Sequence, residues 1–147
     1  HEGWCRAIGV ANFEADHLDA LQGVSDMKPL VDQFESHPGF ANQAVLDAVL
    51  ARHIVPVAYS PLGKGKDLAG NAVLAALARK YGKTPAQIVL RWELQRGLVV
   101  IPKSSNRERI RENTGIFDFK LRRKDMEAMN AMDTGTRLSA DPHHLPF

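Results

Sequence analysis

Short, almost purely apolar runs alternate along this chain with longer segments whose apolar residues recur every three or four positions. "RAIGV" (Arg6–Val10) reads as a short strand, and about Ala15 to Val24 as a helix. "PLVDQFES" (Pro29–Ser36) is a second strand, and after the turn "HPGF" the amphipathic "NQAVLDAVLARH" (Asn42–His53) is a second helix. "IVPVAYS" (Ile54–Ser60) is a third strand, bounded by the loop "PLGKGKDLAG". Two helices follow. "NAVLAALARKYG" ends on Gly82, which takes the left-handed cap conformation at least cost. "TPAQIVLRWELQRG" opens with Thr84 as N-cap, Pro85 at the first helical position and Gln87 closing a capping box. "LVVIP" (Leu98–Pro102) is the fourth strand, and Ser105 with Glu108 makes another S-x-x-E helix start. A last helix, about Arg122 to Met132, leads into a polar tail.

The first three strands begin about 24 residues apart with helices between them, the βαβ spacing of a parallel sheet covered by helices. Their nearly continuous apolar character is what strands buried on both faces show. Two architectures fit: an open doubly wound sheet, or part of a (β/α)8 barrel. A complete barrel typically needs about 250 residues, so four units in 147 residues make half of one.

Composition narrows the partners more than the fold. A 44% hydrophobic chain of this length suits one domain with its own core, spanning residues 1–147. A formal charge of +2 from 19 basic and 17 acidic residues is too balanced for a general nucleic-acid binder, so any anion site is local. The single cysteine, Cys5, excludes an internal disulfide, fits a reducing compartment and is expected as a small buried hydrophobe near the first strand. No apolar run approaches the roughly 20 residues that span a bilayer, so no membrane partner is expected. The opening "HEGWCRAIGV" lacks both an initiator Met and a secretory layout, which makes the cytoplasm the expected location.

In parallel sheets of either kind, ligands sit at the C-terminal ends of the strands. Those ends carry Ala11, Asn12 and Phe13; Gln33, Glu35, Ser36 and His37; Tyr59, Ser60, Leu62 and Gly63; and Lys103, Ser104 and Ser105. Amides, hydroxyls, one aromatic ring and a lysine suit a polar, flat-ringed, anionic ligand such as a nucleotide. Other readings stay open for each. Arg107, Arg109 and Arg111 also fit a solvated helix face, Tyr59 a core or rim aromatic, and His37 before Pro38 a turn residue. His143 and His144, adjacent in a tail without carboxylate or Cys partners, read as solvated rather than metal-binding. Trp92 and the stripe Met126, Met129 and Met132 read as packing.

Five blocks, "RAIGVANF", "DQFESHP", "VPVAYSPLGKG", "GKTPAQIVLRWELQRGLVVIPKS" and "RERIRENTGIFDFKL", together resemble the C-terminal half of an aldo-keto reductase, over about Gly3 to Pro142. The "PLGKGK" loop and the tail "AMDTGTRLSADPH" are most similar to the bacterial branch that includes 2,5-diketo-gluconate reductases. The resemblance implies the C-terminal half of an eight-stranded barrel, about four βα units plus an extra helix, binding NADPH without a Rossmann fingerprint. The chain has no G-x-G-x-x-G after a strand, and "GKGK" is a poor phosphate loop by itself.

By position, the resemblance implies that Asn12 and Gln33 hold the nicotinamide carboxamide and that the Tyr59 ring stacks on the nicotinamide. It puts Ser60 and Leu62 near the pyrophosphate, Lys103, Ser104 and Arg109 on the adenosine 2′-phosphate with helix N-terminal amides sharing its charge, and Glu112 and Asn113 at the adenine. Two positions depart from the family pattern. Ala11 stands where a Ser is usual, and Gly39 where an aromatic often follows His-Pro, which would widen or loosen the rim.

The family's Asp-Tyr-Lys-His catalytic set belongs to the other half of the barrel, so no catalytic residue is expected in this chain. The resemblance therefore implies the cofactor-binding half of an enzyme that reduces aldehydes or ketones, with keto-sugar acids as one candidate class. The start near a helix-to-strand junction fits a piece cut at an exposed boundary. A half-barrel exposes sheet edges and an apolar face, so the missing N-terminal half or a second copy is an expected partner. The competing reading is a non-catalytic, self-associating half-barrel that binds nucleotide.

Overall fold

The computed structural model describes residues 3–65, 68 and 70–144, so Lys66, Asp67 and Ala69 of the loop after the third strand lie outside the described residues. Four strands, β1 (Gly9–Ala11), β2 (Val31–Glu35), β3 (Val55–Tyr59) and β4 (Val99–Val100), form one parallel sheet in chain order. The helices α1 (Ala15–Val24) and α2 (Gln43–Ala51) make the first two crossovers. A helix pair, α3 (Ala72–Tyr81) and α4 (Pro85–Gln95), makes the third, and α5 (Arg107–Thr114) and α6 (Arg123–Asn130) follow β4.

Strand pairing lines up side chains in rows. Gly9, Val31 and Val55 form one row; Ala11, Gln33, Val57 and Val99 the next; Glu35 and Tyr59 meet nearest the C-terminal ends. With a side-chain period of two, these rows share one face of the sheet. On the other face Phe34 and Ala58 pack with Leu18, Val45, Leu46, Val49, Ile54 and Leu98. A second core joins Leu74, Leu77, Ile88, Val89, Trp92, Leu121 and Met129 from α3, α4, α6 and the segment between α5 and α6. Trp92 and Met129 are fully buried there, as their spacing predicts, and the Trp92 Nε1–H donates to Asn130 Oδ1 at 2.8 Å.

Only one sheet face is covered, against the expectation of strands buried on both. Val31, Val55, Val99 and Ile101 are 38, 45, 47 and 44% exposed. Apolar rows of this kind need a second layer to cover them, and the described residues supply none. The strands are also shorter than their apolar runs. β1 begins at Gly9 rather than Arg6, with the Leu30 N–H donating to Ile8 O at 2.9 Å just before it. β4 keeps two residues of "LVVIP", and Cys5 is exposed rather than buried. At Gly9 a Cβ would lie 2.4 Å from Val31 Cγ2, so the lack of a side chain lets β1 lie against β2.

Helix caps follow local chemistry. Asn71 accepts from the amides of Val73 and Leu74, Gly82 is left-handed at φ 62°, and Thr84 and Gln87 form the reciprocal box. At α5 the cap is Asn106, not Ser105: its Oδ1 accepts from Glu108 N at 2.8 Å and Arg109 N at 3.1 Å. A carboxamide oxygen one residue later reaches two orphan amides at once, which the Ser105 hydroxyl does not.

Candidate functional site

Two non-glycine residues just past strand ends have left-handed backbones, Asn12 at φ 58° after β1 and Ser60 at φ 50° after β3. Such conformations are sparsely populated, and they turn the chain sharply out of the sheet where a ligand would sit. The Asn12 N–H still donates to Gln33 O at 2.8 Å, which ties the two segments together. The side-chain carboxamides of Asn12 and Gln33, both half-buried, make no hydrogen bond among the described residues and remain available as paired donors and acceptors.

Tyr59, also half-buried, lies in the row with Glu35. Burial raises its phenol above the ordinary value and the Glu35 charge adds to this, against the pull of the Ser139 hydroxyl and Arg137. The ring is therefore a neutral, flat surface at physiological pH. Beyond it Ser60 O accepts from Gly63 N at 2.8 Å, and Leu62 turns back against the α3–α4 core.

Lys103 before α5, Arg107 and Arg109 in its first turn and Arg111 in its last are exposed. The Ser104 hydroxyl accepts from Asn106 N at 3.1 Å and shapes the turn into the helix. Because Asn106 takes the amides of Glu108 and Arg109, the expected N-terminal amides are largely spent on the cap, and the positive charge here comes from side chains. Glu112 Oε1 accepts from Thr84 Oγ1 at 2.6 Å and Glu112 O from Gln87 Nε2 at 2.9 Å, while Asn113 is buried. The α5 face carrying Glu112 and Asn113 is thus fixed to the start of α4.

The residue that sequence reasoning left without a role is Glu35. Its Oε1 accepts from Leu138 N at 2.6 Å and lies 3.0 Å from His37 Nε2; its Oε2 accepts from Ser139 N at 3.0 Å. Burial opposes the charge, but the Leu138 amide, His37 and the Ser139 amide outweigh it and hold the carboxyl below its ordinary value. Gly39 O accepts from Thr134 N and Thr136 N, and Lys64 Nζ donates to Leu138 O at 3.2 Å. Arg137 pairs with Glu14 at 2.5 Å and lies 4.6 Å over the Phe40 ring. The C-terminal tail is therefore anchored across the strand ends. It borders an open cavity of about 450 Å³ with His37, Gly39, Leu62, Leu74, Met132 and Leu138 in its walls. Gly39 contributes no side chain to that wall; a Cβ there would lie 3.5 Å from the His37 ring.

His37 is a structural turn residue, buried and paired through its backbone with Phe40 in both directions. Tyr81 is engaged away from the strand ends: its hydroxyl donates to Asp125 Oδ2 at 2.5 Å and accepts from Arg122 N, and Lys80 Nζ binds the same carboxylate at 2.7 Å. This trio staples α3 to α6. Beneath the site, Glu93 is fully buried with Arg96 at 3.0 Å and the Ser36 hydroxyl at 2.9 Å. Burial pushes its carboxyl up to about 7 against both partners. His143 departs from expectation, since Glu14 Oε2 lies 3.3 Å from its Nε2.

The model of one protein family, the Aldo/keto reductase family, matches residues 1–134. An aldo-keto reductase of Mycolicibacterium vanbaalenii is 50% identical over 141 residues, 95% of this chain and 50% of that protein. A glyoxal reductase of Bacillus subtilis is 42% identical over 146 residues, 99% of this chain and 52% of that protein. Among solved structures, a mutant of Gox0644 in complex with NADPH superposes with a TM-score of 0.91 at 40% identity, covering 97% of this chain and 52% of that one. The chain spans about half the length of the curated relatives it matches.

Proposed function

For a chain that belongs to the aldo/keto reductase family, we propose the role of the NADPH-binding half of a reductase that converts aldehydes or ketones to alcohols. One observation carries this reading: carboxamides at Asn12 and Gln33 without hydrogen-bond partners among the described residues, the neutral Tyr59 ring and the exposed Lys103 follow the C-terminal ends of successive parallel strands, with the exposed Arg109 in the helix after the last. The residues fit the group. Asn12 and Gln33 would hold the nicotinamide carboxamide, Tyr59 would cover one ring face, and Ser60 and Leu62 would border the pyrophosphate. Lys103, Ser104 and Arg109 would hold the 2′-phosphate, with Glu112 and Asn113 beside the adenine. When bound, NADPH supplies the hydride. The proton would come from a Tyr of the other barrel half, a general acid that this proposal does not assign to the present chain.

Residues 1–147 act in this reading as a partial domain whose open sheet face takes the missing four βα units. The NADPH-bound neighbour supports the cofactor, and the relative named for glyoxal supports a small polar carbonyl compound as substrate class. Placement in the diketo-gluconate branch, with keto-sugar acids as substrates, rests on the "PLGKGK" loop and the tail sequence alone. No helix among the described residues is long and apolar enough to cross a membrane, and we take the cytoplasm as the place of action.

Arg109→Ala in the full-length protein tests the phosphate clamp. NADPH affinity should fall about ten- to a hundredfold, the roughly 1.5–3 kcal/mol of a charge-assisted hydrogen bond, with NADH affinity unchanged. Equal weakening of both would remove Arg109 from the 2′-phosphate. The exposed row of Val31, Val55 and Val99 also favours a second reading, a self-associating half-barrel that binds nucleotide without turnover. The denatured intact mass of the natural protein separates the two: about twice 16.3 kDa supports the reductase, and 16.3 kDa the module.

A further inference from the structure

Glu14, the N-cap of α1, meets the tail across 129 residues of sequence: its Oε2 lies 3.3 Å from His143 Nε2. Asp141 offers a carboxylate oxygen within 4.8 Å of one ligand atom of Glu14 and one of His143. The other imidazole nitrogen, Nδ1, faces Asp16 Oδ2 at 3.8 Å. His17 lies against the same ring, centroids 4.7 Å apart. The cofactor reading uses none of these groups.

The geometry points to a binding site for a divalent cation of the zinc class, with Glu14, Asp141 and His143 as ligands and Asp16 as the group that orients the imidazole. Metal–nitrogen and metal–oxygen bonds of about 2.0–2.1 Å in a tetrahedron set ligand atoms roughly 3.3 Å apart, the spacing of Glu14 Oε2 and His143 Nε2. One imidazole and two carboxylates suit zinc or its first-row neighbours, whereas magnesium and calcium demand six or more oxygens. Asp16 is what separates this cluster from an ordinary group of surface acids. A metal-bound histidine usually donates its second ring N–H to a carboxylate, which fixes the tautomer that leaves the other nitrogen free. Asp16 lies on that side of the ring at 3.8 Å, a side-chain adjustment away from the hydrogen bond the role requires.

His17 is not a ligand. Its Nδ1 accepts the Glu14 amide at 3.1 Å in the α1 capping box, so its proton sits on Nε2, and the ring serves to pack His143 in place. Arg137 takes Glu14 Oε1, while Oε2 faces His143 Nε2, where an ion would come between them. The Arg137 charge, and the exposure of His143 and Asp16, make the site weaker than a closed four-ligand zinc centre. A bound ion would join the start of α1 to the tail that already rests on Glu35 and Gly39, adding to the hold on the tail by mass action.

The test is titration of the full-length natural protein, free of nucleotide, with Co²⁺ followed by its visible absorption and with Zn²⁺ followed by calorimetry. One equivalent should bind with a dissociation constant below about 100 µM. His143→Ala should weaken it at least tenfold, Asp16→Asn about ten- to a hundredfold, and His144→Ala should leave it unchanged. Glu14 is left intact because it caps α1. Absence of one-to-one binding below about 100 µM, or binding indifferent to His143→Ala, overturns the site. Binding that loses nothing on Asp16→Asn overturns the orienting role. The readout needs no cofactor, so its failure leaves the reductase reading standing, and failure of that reading leaves the site standing.

Discussion

Asp32 is fully buried in β2, and neither carboxylate oxygen has a hydrogen-bond partner among the described residues. Burial pushes its carboxyl up to about 6 from an ordinary 3.8, opposed by the nearby Phe13 amide, which falls short of hydrogen-bond geometry. The sign of the linkage follows. Below 3.8 the carboxyl is protonated in both states and costs nothing. Between 3.8 and about 6 the unfolded chain loses its proton first, so native stability falls as pH rises, and above 6 the whole penalty is present. A shift of this size corresponds to about 3 kcal/mol. Asp32→Asn in the full-length protein should therefore be more stable at pH 7, with a melting temperature several degrees higher. The gain should vanish near pH 4. Equal melting temperatures at pH 7 would mean that the native carboxylate is not penalised. Glu35, three positions on, shows the opposite outcome for the same burial, because two backbone amides and His37 converge on it.

Cap chemistry is the most readable feature at the scale of elements. Thr84, Pro85 and Gln87 do in α4 what their order predicts, and Gly82 ends α3 in the left-handed region. At the start of α5 the S-x-x-E spacing of Ser105 and Glu108 points to Ser105, whereas Asn106 one residue later has two amides in reach and takes the cap. Asn106→Ala should cost about 1 kcal/mol and Ser105→Ala close to nothing, measured by urea denaturation of the full-length protein. The reverse order would restore Ser105 as the cap. The four strands and their parallel order were legible from spacing. The anchoring of the tail was not. An acid two residues after Gln33 gives no sign that amides 103 and 104 residues later will bind it. Nor does a polar tail show that His143 will come to rest against Glu14.

For the whole molecule the telling feature is the uncovered sheet face, which an apolar run could not disclose, since it reads the same whichever chain supplies its second layer. Val31, Val55 and Val99 stand in two adjacent rows with Ile101 just beyond, and each is a little under half exposed. Covering the remainder of each is worth on the order of 1 kcal/mol, so the four together give a strong drive toward a partner. In the proposed function the occupant of this face is the other four βα units of the barrel, in keeping with relatives about twice as long. The 147-residue chain prepared alone should then sediment well above 16.3 kDa and bind apolar dyes. Co-expression with the N-terminal half of the same barrel should replace those species with a one-to-one complex. Val55→Glu together with Val99→Glu should abolish that complex while leaving the helix-covered face, built on Phe34 and Ala58, untouched. A chain that stays monomeric and dye-silent at about 100 µM would show that this face needs no cover, and the half-barrel reading would fall with it.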